Sequence, residues 1–185
     1  MLRSFSIEYV SELQLTIKCK GKDTTYCFPD LFLFDTNLGL DCIVIELKLF
    51  NLIGLYSGNL HSNKSVWVDH PRHDVLVDFD KKLREESEES LLERYYTYWC
   101  KNERKYKSIK IKSMIDSGYE QLCKYLKVIV KGKANNSDGI IDKRIRIESG
   151  LSHIRGYLIA SFGSHRVIVK SNVKNSNFRY FINTI

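Results

Sequence analysis

Three charged residues interrupt two apolar segments in the N-terminal third of the chain. Asp30 lies between Pro29 and the run Leu31–Phe34, and Glu46 and Lys48 lie within Asp41–Phe50. A carboxylate and an ammonium inside an apolar strand are costly to bury unless they serve a purpose. If the two segments pair, the Asp30 and Glu46 carboxylates converge, and they repel each other unless a cation lies between them. Asp and Glu oxygens suit Mg²⁺ or Mn²⁺, and Lys48 could orient or deprotonate a water beside such an ion.

The segments that carry these residues are predicted to be strands. Leu13–Lys20 alternates strictly between apolar and polar residues, which predicts a half-buried strand. A second strand is expected over 24–34, with an edge or bulge at Pro29, and a third over Asp41–Phe50. In the third strand, Cys42, Val44, Glu46 and Lys48 share one face. Short turns join the three strands, so the pattern predicts an antiparallel meander.

Helices are expected in the middle of the chain, and a hairpin near its end. The spacing predicts one helix over Lys81–Cys100 and another from Ser113 to about Ile129, whereas Asn51–His73 is expected to be irregular. Residues 153–162 and 165–170 are expected to pair as a hairpin. A helix between strands allows a parallel crossover, so the fold class is α/β with a mixed central sheet and flanking helices.

Length and composition limit the class of protein. The chain has 185 residues, enough for one domain spanning 1–185, and 43% of them are hydrophobic. No apolar run approaches the ~20 residues that cross a bilayer, so no membrane partner is expected. The N-terminus lacks the apolar segment of a signal peptide, which favours an intracellular location. Five scattered cysteines form no CxxC pair, which argues for reduced thiols.

Positive charge is concentrated between Lys101 and Lys133. This segment carries ten lysines and arginines and only three aspartates and glutamates. It is a candidate surface for a polyanion such as DNA or RNA, although a solvated helix face has the same composition. The candidate nucleic-acid contacts are Lys105, Lys107, Lys124, Tyr125, Lys127 and Lys131. Phosphate contacts carry no base information, so DNA and RNA are not distinguished.

Two motifs resemble those of a known family. Pro29-Asp30, fifteen intervening residues, and Glu46-Leu47-Lys48 resemble the signature of the PD-(D/E)XK nuclease superfamily, whose fold is restriction-endonuclease-like. Gln121-Leu122-Cys123-Lys124-Tyr125 resembles the Gln-x-x-x-Tyr element on the crossover helix of many members. The resemblance implies an αβββαβ core, with residues 51–112 as an insertion.

The resemblance also implies roles for individual residues. Asp30 and Glu46 would hold Mg²⁺ or Mn²⁺ with the backbone carbonyl of Leu47, and Lys48 would position the attacking water. Gln121 would lie at the rim of the site. Many members add an acid from a first helix, which here could only be Glu8 or Glu12.

Other interpretations remain open at this stage. The Glu46–Lys48 pair could be a structural ion pair, and Gln121 with Tyr125 could be an ordinary i,i+4 pair. The chain could then be an inactive nuclease-like module that binds nucleic acid or a protein. It could also be one domain of a larger protein, or a homodimer.

Two further patterns are weaker. An N-terminal endonuclease domain of a segmented negative-strand RNA virus polymerase has a similar core, but often uses an early histidine, and no histidine precedes Asp30. His70-Pro71-Arg72-His73-Asp74 could be read as a metal site, but Pro71 favours a surface loop.

Overall fold

The chain divides into two compact units, each assembled from separate stretches of sequence. The computed structural model describes residues 7–17, 25–35, 41–60, 71–135 and 138–183. Unit 1 comprises the described parts of Met1–Glu46, Tyr119–Leu158 and Lys170–Ile185. Unit 2 comprises those of Leu47–Gly118 and Ile159–Val169, and so contains the segment predicted to be an insertion.

The described residues form ten strands and four helices. In chain order they are β1 (Ile7–Ser11), β2 (Leu15–Ile17), β3 (Thr25–Cys27), β4 (Leu31–Asp35), β5 (Asp41–Phe50), α1 (Leu52–Leu60), α2 (His73–Glu85), α3 (Glu88–Glu93), β6 (Tyr95–Cys100), β7 (Lys105–Lys110), α4 (Ile111–Ile129), β8 (Gly139–Ile140), β9 (Ile145–Phe162) and β10 (Arg166–Ile182). No helix in these ranges is long and apolar enough to cross a membrane.

A mixed five-stranded sheet is the largest sheet, and with the helices it makes the protein α/β, as predicted. Its strand order is β1-β4-β5-β9-β10, and β1/β4 and β4/β5 are antiparallel. The amide of Gly163, just after β9, donates to the carbonyl of Phe50 at the end of β5 (3.1 Å). The carboxyl ends of β5 and β9 therefore lie side by side, as in a parallel pair.

The N-terminal strands differ from the predicted meander. The predicted second strand is interrupted at Pro29 and Asp30 and forms two strands, β3 and β4. β2 pairs with both β3 and β8 in a separate three-stranded sheet, and β1 takes the place beside β4 in the main sheet. The implied first helix is absent from the described residues before β4, because Ile7–Ser11 is a strand.

In unit 1, the core lies beneath α4. Phe32 packs edge-on against Tyr180 with ring centroids 5.8 Å apart, and the Tyr180 hydroxyl donates to the carbonyl of Ile129 (2.9 Å). Gly156 on β9 allows a close approach, since a Cβ there would lie 2.8 Å from a methyl carbon of Leu126. The helix predicted from Ser113 onward is confirmed as α4; of the apolar residues expected on its inner face, it buries Ile115, Leu122, Leu126 and Ile129 and leaves Met114 and Tyr119 half-buried.

Unit 2 contains two elements that the sequence pattern assigned wrongly. The predicted helix over Lys81–Cys100 ends early: α2 and α3 cover its first part, and Tyr95–Cys100 is a strand paired with Lys105–Lys110. The segment expected to be irregular from Asn51 begins with helix α1. This helix lies so close to β6 that a Cβ at Gly58 would sit 1.9 Å from the Tyr95 carbonyl oxygen, so only glycine fits there.

A buried aspartate anchors the chain just after β1. Asp142 is 6% exposed, and its carboxylate accepts hydrogen bonds from the backbone amide of Gln14 (3.1 Å) and from Arg144 Nε (2.9 Å) and Nη2 (2.7 Å). Arg144 Nη2 also donates to the carbonyls of Ser11 (3.1 Å) and Glu12 (3.3 Å). Burial alone would raise the pKa of Asp142, but the hydrogen bonds from Arg144 and Gln14 outweigh it and lower the pKa.

We predict that Asp142→Asn destabilises the protein by about 2 kcal/mol at neutral pH, because it replaces the buried carboxylate that accepts from Gln14 and Arg144 with a weaker, uncharged acceptor. The lowered pKa means that this stability is present above the unfolded-state value of about 3.9 and is lost as the pH falls through the folded-state pKa. Urea denaturation at several pH values measures both effects.

The matched control is Glu148→Gln, which removes an exposed ion pair with Arg146 (3.4 Å) and should change the free energy of unfolding by less than about 0.5 kcal/mol. Equal losses for the two variants, or a difference that does not decrease as the pH falls below the unfolded-state value of about 3.9, would show that Asp142 is not the anchor.

Candidate functional site

Asp30 and Glu46 face each other across two neighbouring strands. Leu31 pairs with Ile45 and Phe32 with Val44, so continuing the register by one residue places Asp30 opposite Glu46. Residues directly opposite in an antiparallel pair project to the same face of the sheet, with Cβ atoms about 5 Å apart. The register therefore brings together the two carboxylates that the sequence singled out.

Glu12 is the third acidic residue in this row, because its backbone lies beside that of Asp30. Ser11 pairs with Leu31 in the β1/β4 ladder, and the Glu12 amide donates to the Asp30 carbonyl (3.0 Å). We call Glu12, Asp30 and Glu46 the acidic row. Glu12 itself is exposed and has a positive φ of 50°, so the chain turns away at this residue.

The three carboxylates of the acidic row are not equivalent. Glu46 is only 3% exposed and Asp30 is partly buried. Hydrogen bonds to Asp142 raise the pKa of Arg144 above its usual value, and the negative charge of Glu12 adds to that effect, so Glu12 acts on Arg144. Within the described ranges, no three His, Cys, Asp or Glu side chains form a cluster that could hold a metal ion.

Lys48 follows Glu46 by two residues on β5, so its Cβ points to the same side of that strand. The burial pattern agrees with the predicted faces: Cys42, Val44, Glu46 and Phe50 are buried, and Lys48 is half-buried. The opposite face carries the more apolar residues, yet Leu49 is 76% exposed. The charged residues therefore lie on the buried side of β5, and the leucines on its exposed side.

Two residues of α4 complete the site in unit 1. Gln121 Nε2 donates to the hydroxyl of Tyr125, one helical turn later. The pKa of Tyr125 is raised to about 12, chiefly by burial; the hydrogen bond from Gln121 opposes the rise, and the negative charges of Glu46, Cys27 and Asp30 contribute to it. The hydroxyl of Tyr125 is thus within electrostatic reach of both paired carboxylates.

The position of Tyr125 corrects one part of the sequence prediction. Tyr125 was expected among the nucleic-acid contacts, but it is 3% exposed, so its ring cannot stack on a base at the surface. Its neighbours place it in the wall of the site. Cys27, three residues before Asp30, was not anticipated, because the pairing that brings β3 near α4 involves segments distant in sequence.

The candidate lysines differ in how far other residues neutralise them. Lys105 pairs with Glu103 (2.9 Å), as does Lys107, and Lys131 pairs with Asp138 (2.7 Å). Lys124 and Lys127 are exposed on α4. Since ion pairing reduces the charge available to a phosphate, Lys124 and Lys127 are the stronger candidates within unit 1.

The histidine pattern at 70–74 is only partly within the described residues, since His70 lies outside them. His73 begins α2 and is exposed, and the Arg72 guanidinium pairs with the Asp74 carboxylate (2.5 Å). In unit 2, His73 lines a cavity of about 330 Å³ together with buried Asp80 and His165. The His165 ring nitrogen Nε2 lies 3.9 Å from the Asp80 carboxylate, an acidic partner that sequence proximity could not indicate.

Comparison of the chain with protein-family models, with curated proteins and with solved structures finds no match. The function must therefore be argued from the geometry and chemistry of the site itself.

We predict that Glu46→Gln lowers the pKa of Tyr125, because it removes one of the negative charges that disfavour the phenolate. The pKa of Tyr125 is measured from the ultraviolet absorbance of the phenolate as the pH rises. Subtracting the titration curve of Tyr125→Phe from that of wild type isolates Tyr125. The same subtraction between Glu46→Gln and the double variant gives the pKa of Tyr125 without the Glu46 charge.

Glu120→Gln, which removes an exposed carboxylate on the same helix, is the control and should shift the Tyr125 titration less. Unchanged titration in Glu46→Gln would place the Glu46 carboxylate away from Tyr125 and would contradict the assembled site.

Proposed function

We propose that this protein is a divalent-metal-dependent nuclease that hydrolyses phosphodiester bonds in DNA or RNA. The observation that carries the proposal is the register of β4 and β5, which sets Asp30 opposite Glu46 on one face of the sheet, next to the Gln121–Tyr125 pair. This is the juxtaposition that the resemblance to the PD-(D/E)XK superfamily implies.

The oxygen donors fit a small hard cation. Asp30 and Glu46 would supply one carboxylate each, and the backbone carbonyl of Leu47 would supply a third oxygen. Mg²⁺ is commonly held by one or two carboxylates and keeps several waters, so a complete protein cage is not required. When bound, such an ion would offset phosphate charge and lower the pKa of a coordinated water.

The remaining residues would act on the water and the substrate. Lys48, on the same side of β5 as Glu46, would orient the attacking water and stabilise the charge that develops on the phosphate. Gln121, fixed by its hydrogen bond to Tyr125, would orient the water or substrate at the rim.

The strand order supports the proposal only in part. The chain order of four elements, β4, β5, α4 and β9, matches the strand–strand–helix–strand part of the implied αβββαβ core. Strand β9 lies beside β5 in the sheet. Strand β1 stands where the resemblance implies a first helix, and so no helix presents Glu8 or Glu12 to the site within the described ranges.

A second candidate is an inactive nuclease-like module that binds nucleic acid. The observation favouring it is that Glu12 is exposed and acts on Arg144, which leaves two carboxylates rather than three at the centre. A thermal shift with Mn²⁺ separates the two candidates, because an inactive module without a metal site should show none.

We predict that Lys48→Ala abolishes cleavage but leaves Mn²⁺ binding and nucleic-acid affinity nearly unchanged, because Lys48 would act on the water and the transition state. Asp30→Asn or Glu46→Gln should lose the metal and, with it, cleavage. The measurements are cleavage of labelled DNA and RNA in Mg²⁺ or Mn²⁺, calorimetric Mn²⁺ titration, and binding in EDTA.

Lys82→Ala, at an exposed position of α2 outside the basic segment, is the matched control and should cleave as wild type does. Cleavage by Lys48→Ala at the wild-type rate would make Glu46 and Lys48 a structural pair. A wild-type protein that cleaves no single- or double-stranded substrate in either metal would end the nuclease proposal.

We further predict that the double variant Lys124→Ala/Lys127→Ala binds every nucleic-acid sequence more weakly, and by a similar factor. If each lysine contacts a phosphate, the slope of the logarithm of the binding constant against the logarithm of the salt concentration should become shallower by up to about two units. Lys131→Ala should have a smaller effect, because Asp138 already pairs with Lys131. Fluorescence anisotropy at several salt concentrations gives the slopes, and unchanged slopes would exclude this face of α4.

A further inference from the structure

We infer that a groove beside β1 binds single-stranded nucleic acid. We call it the β1 groove and define it by Tyr9, Ser11, Lys143, Arg144 and Asn183, all in unit 1. The inference goes beyond the proposed function, and the binding can be tested without cleavage.

The β1 groove consists of two adjoining cavities. The first has a volume of about 350 Å³, and its polar lining comprises Tyr9, Ser11, Lys143, Arg144 and Asn183. The second, of about 290 Å³, shares Lys143 and Asn183 with the first and adds Lys133 and Asp142. The two cavities therefore adjoin, and each has about the size of a small-ligand site.

The lining combines an aromatic ring with positive charge. Tyr9 is 64% exposed although it lies within a strand, so its ring is available for stacking. Lys133 and Lys143 are exposed, whereas Arg144 is paired with Asp142, which offsets its charge. Asp142 is buried and paired with Arg144, so its negative charge is largely compensated there.

This combination fits unpaired nucleotides better than a duplex. Proteins that bind single strands place basic residues along the backbone and aromatic rings where bases can stack. In a duplex the base faces are already stacked within the helix and cannot cover Tyr9. The occupant that matches both features is therefore a single strand of DNA or RNA.

The β1 groove also has a defined relation to the acidic row. Ser11 lines the groove, and the next residue, Glu12, donates from its amide to the Asp30 carbonyl (3.0 Å). Arg144 lines the groove and donates to the Ser11 and Glu12 carbonyls (3.1 and 3.3 Å). These contacts are between backbones: Tyr9 pairs with Leu33 and Leu33 with Ile43, so the Tyr9 side chain projects to the face of the sheet opposite to that of Asp30 and Glu46.

The test is binding of fluorescein-labelled single strands of about 12 nucleotides, DNA and RNA, measured by anisotropy in EDTA so that cleavage plays no part. Tyr9→Ala should weaken single-strand binding about tenfold and leave binding of the matching duplex unchanged. Tyr9→Phe should retain binding. Lys133→Ala with Lys143→Ala should reduce the salt slope by about 1.4 units.

Tyr26→Ala is the matched control, since Tyr26 is a 59% exposed tyrosine on β3 outside the groove, and it should bind as wild type does. Thermal melting checks that each variant is folded, and Lys143→Glu provides a second route if Tyr9→Ala is unstable. Wild-type affinity in both Tyr9→Ala and Lys143→Glu, or an equal loss in Tyr26→Ala, would overturn the inference.

The outcomes for the groove and for the nuclease proposal are distinguishable. Tyr9-dependent binding in EDTA without cleavage in Mg²⁺ or Mn²⁺ supports the groove and rejects the nuclease. Metal-dependent cleavage with binding that is independent of Tyr9 and Lys143 supports the nuclease and rejects the groove.

Discussion

The antiparallel register of β1, β4 and β5 is the constraint on which the candidate site depends. Phe32, Phe34, Cys42 and Val44 are all buried on one face of β4 and β5. A slip of one residue would turn every one of these side chains to the other face, so hydrophobic burial fixes the register strongly. Asp30 and Glu46 continue the same register. The packing of their apolar neighbours therefore sets the two carboxylates opposite each other, although like charges repel.

Much of the site could be predicted because its residues lie in elements with strong local patterns. β5 covers Asp41–Phe50 as predicted, and α4 begins at Ile111, two residues before the predicted start. Alternation along β5 correctly grouped Glu46 with Cys42 and Val44. What could not be predicted is which face is buried, since the apolar Leu47 and Leu49 face outward and only the neighbouring strands determine that.

The errors in the fold arise where a pattern fits both a helix and a strand. Leu91 and Tyr95 have helical spacing, but Tyr95–Cys100 is rich in aromatic and β-favouring residues, and its pairing with Lys105–Lys110 decides the outcome. Ile7–Ser11 is likewise decided by its partner, since its pairing with β4 makes it a strand where the family resemblance implied a helix. In both cases a partner elsewhere in the sequence determines the structure, and no local window contains that information.

A site built from buried carboxylates repels a phosphate backbone unless positive charge is fixed beside it. Flexible surface lysines meet this need poorly, because ordering each one costs side-chain entropy, and several here are already paired with acids. Arg144 is ordered, because Asp142 holds its guanidinium from one side and the Ser11 and Glu12 carbonyls hold it from the other. The same pairing offsets the charge of Arg144, so the buried Asp142 serves to fix the chain after β1, and the exposed Lys133 and Lys143 are the cations of the β1 groove that remain available to a phosphate.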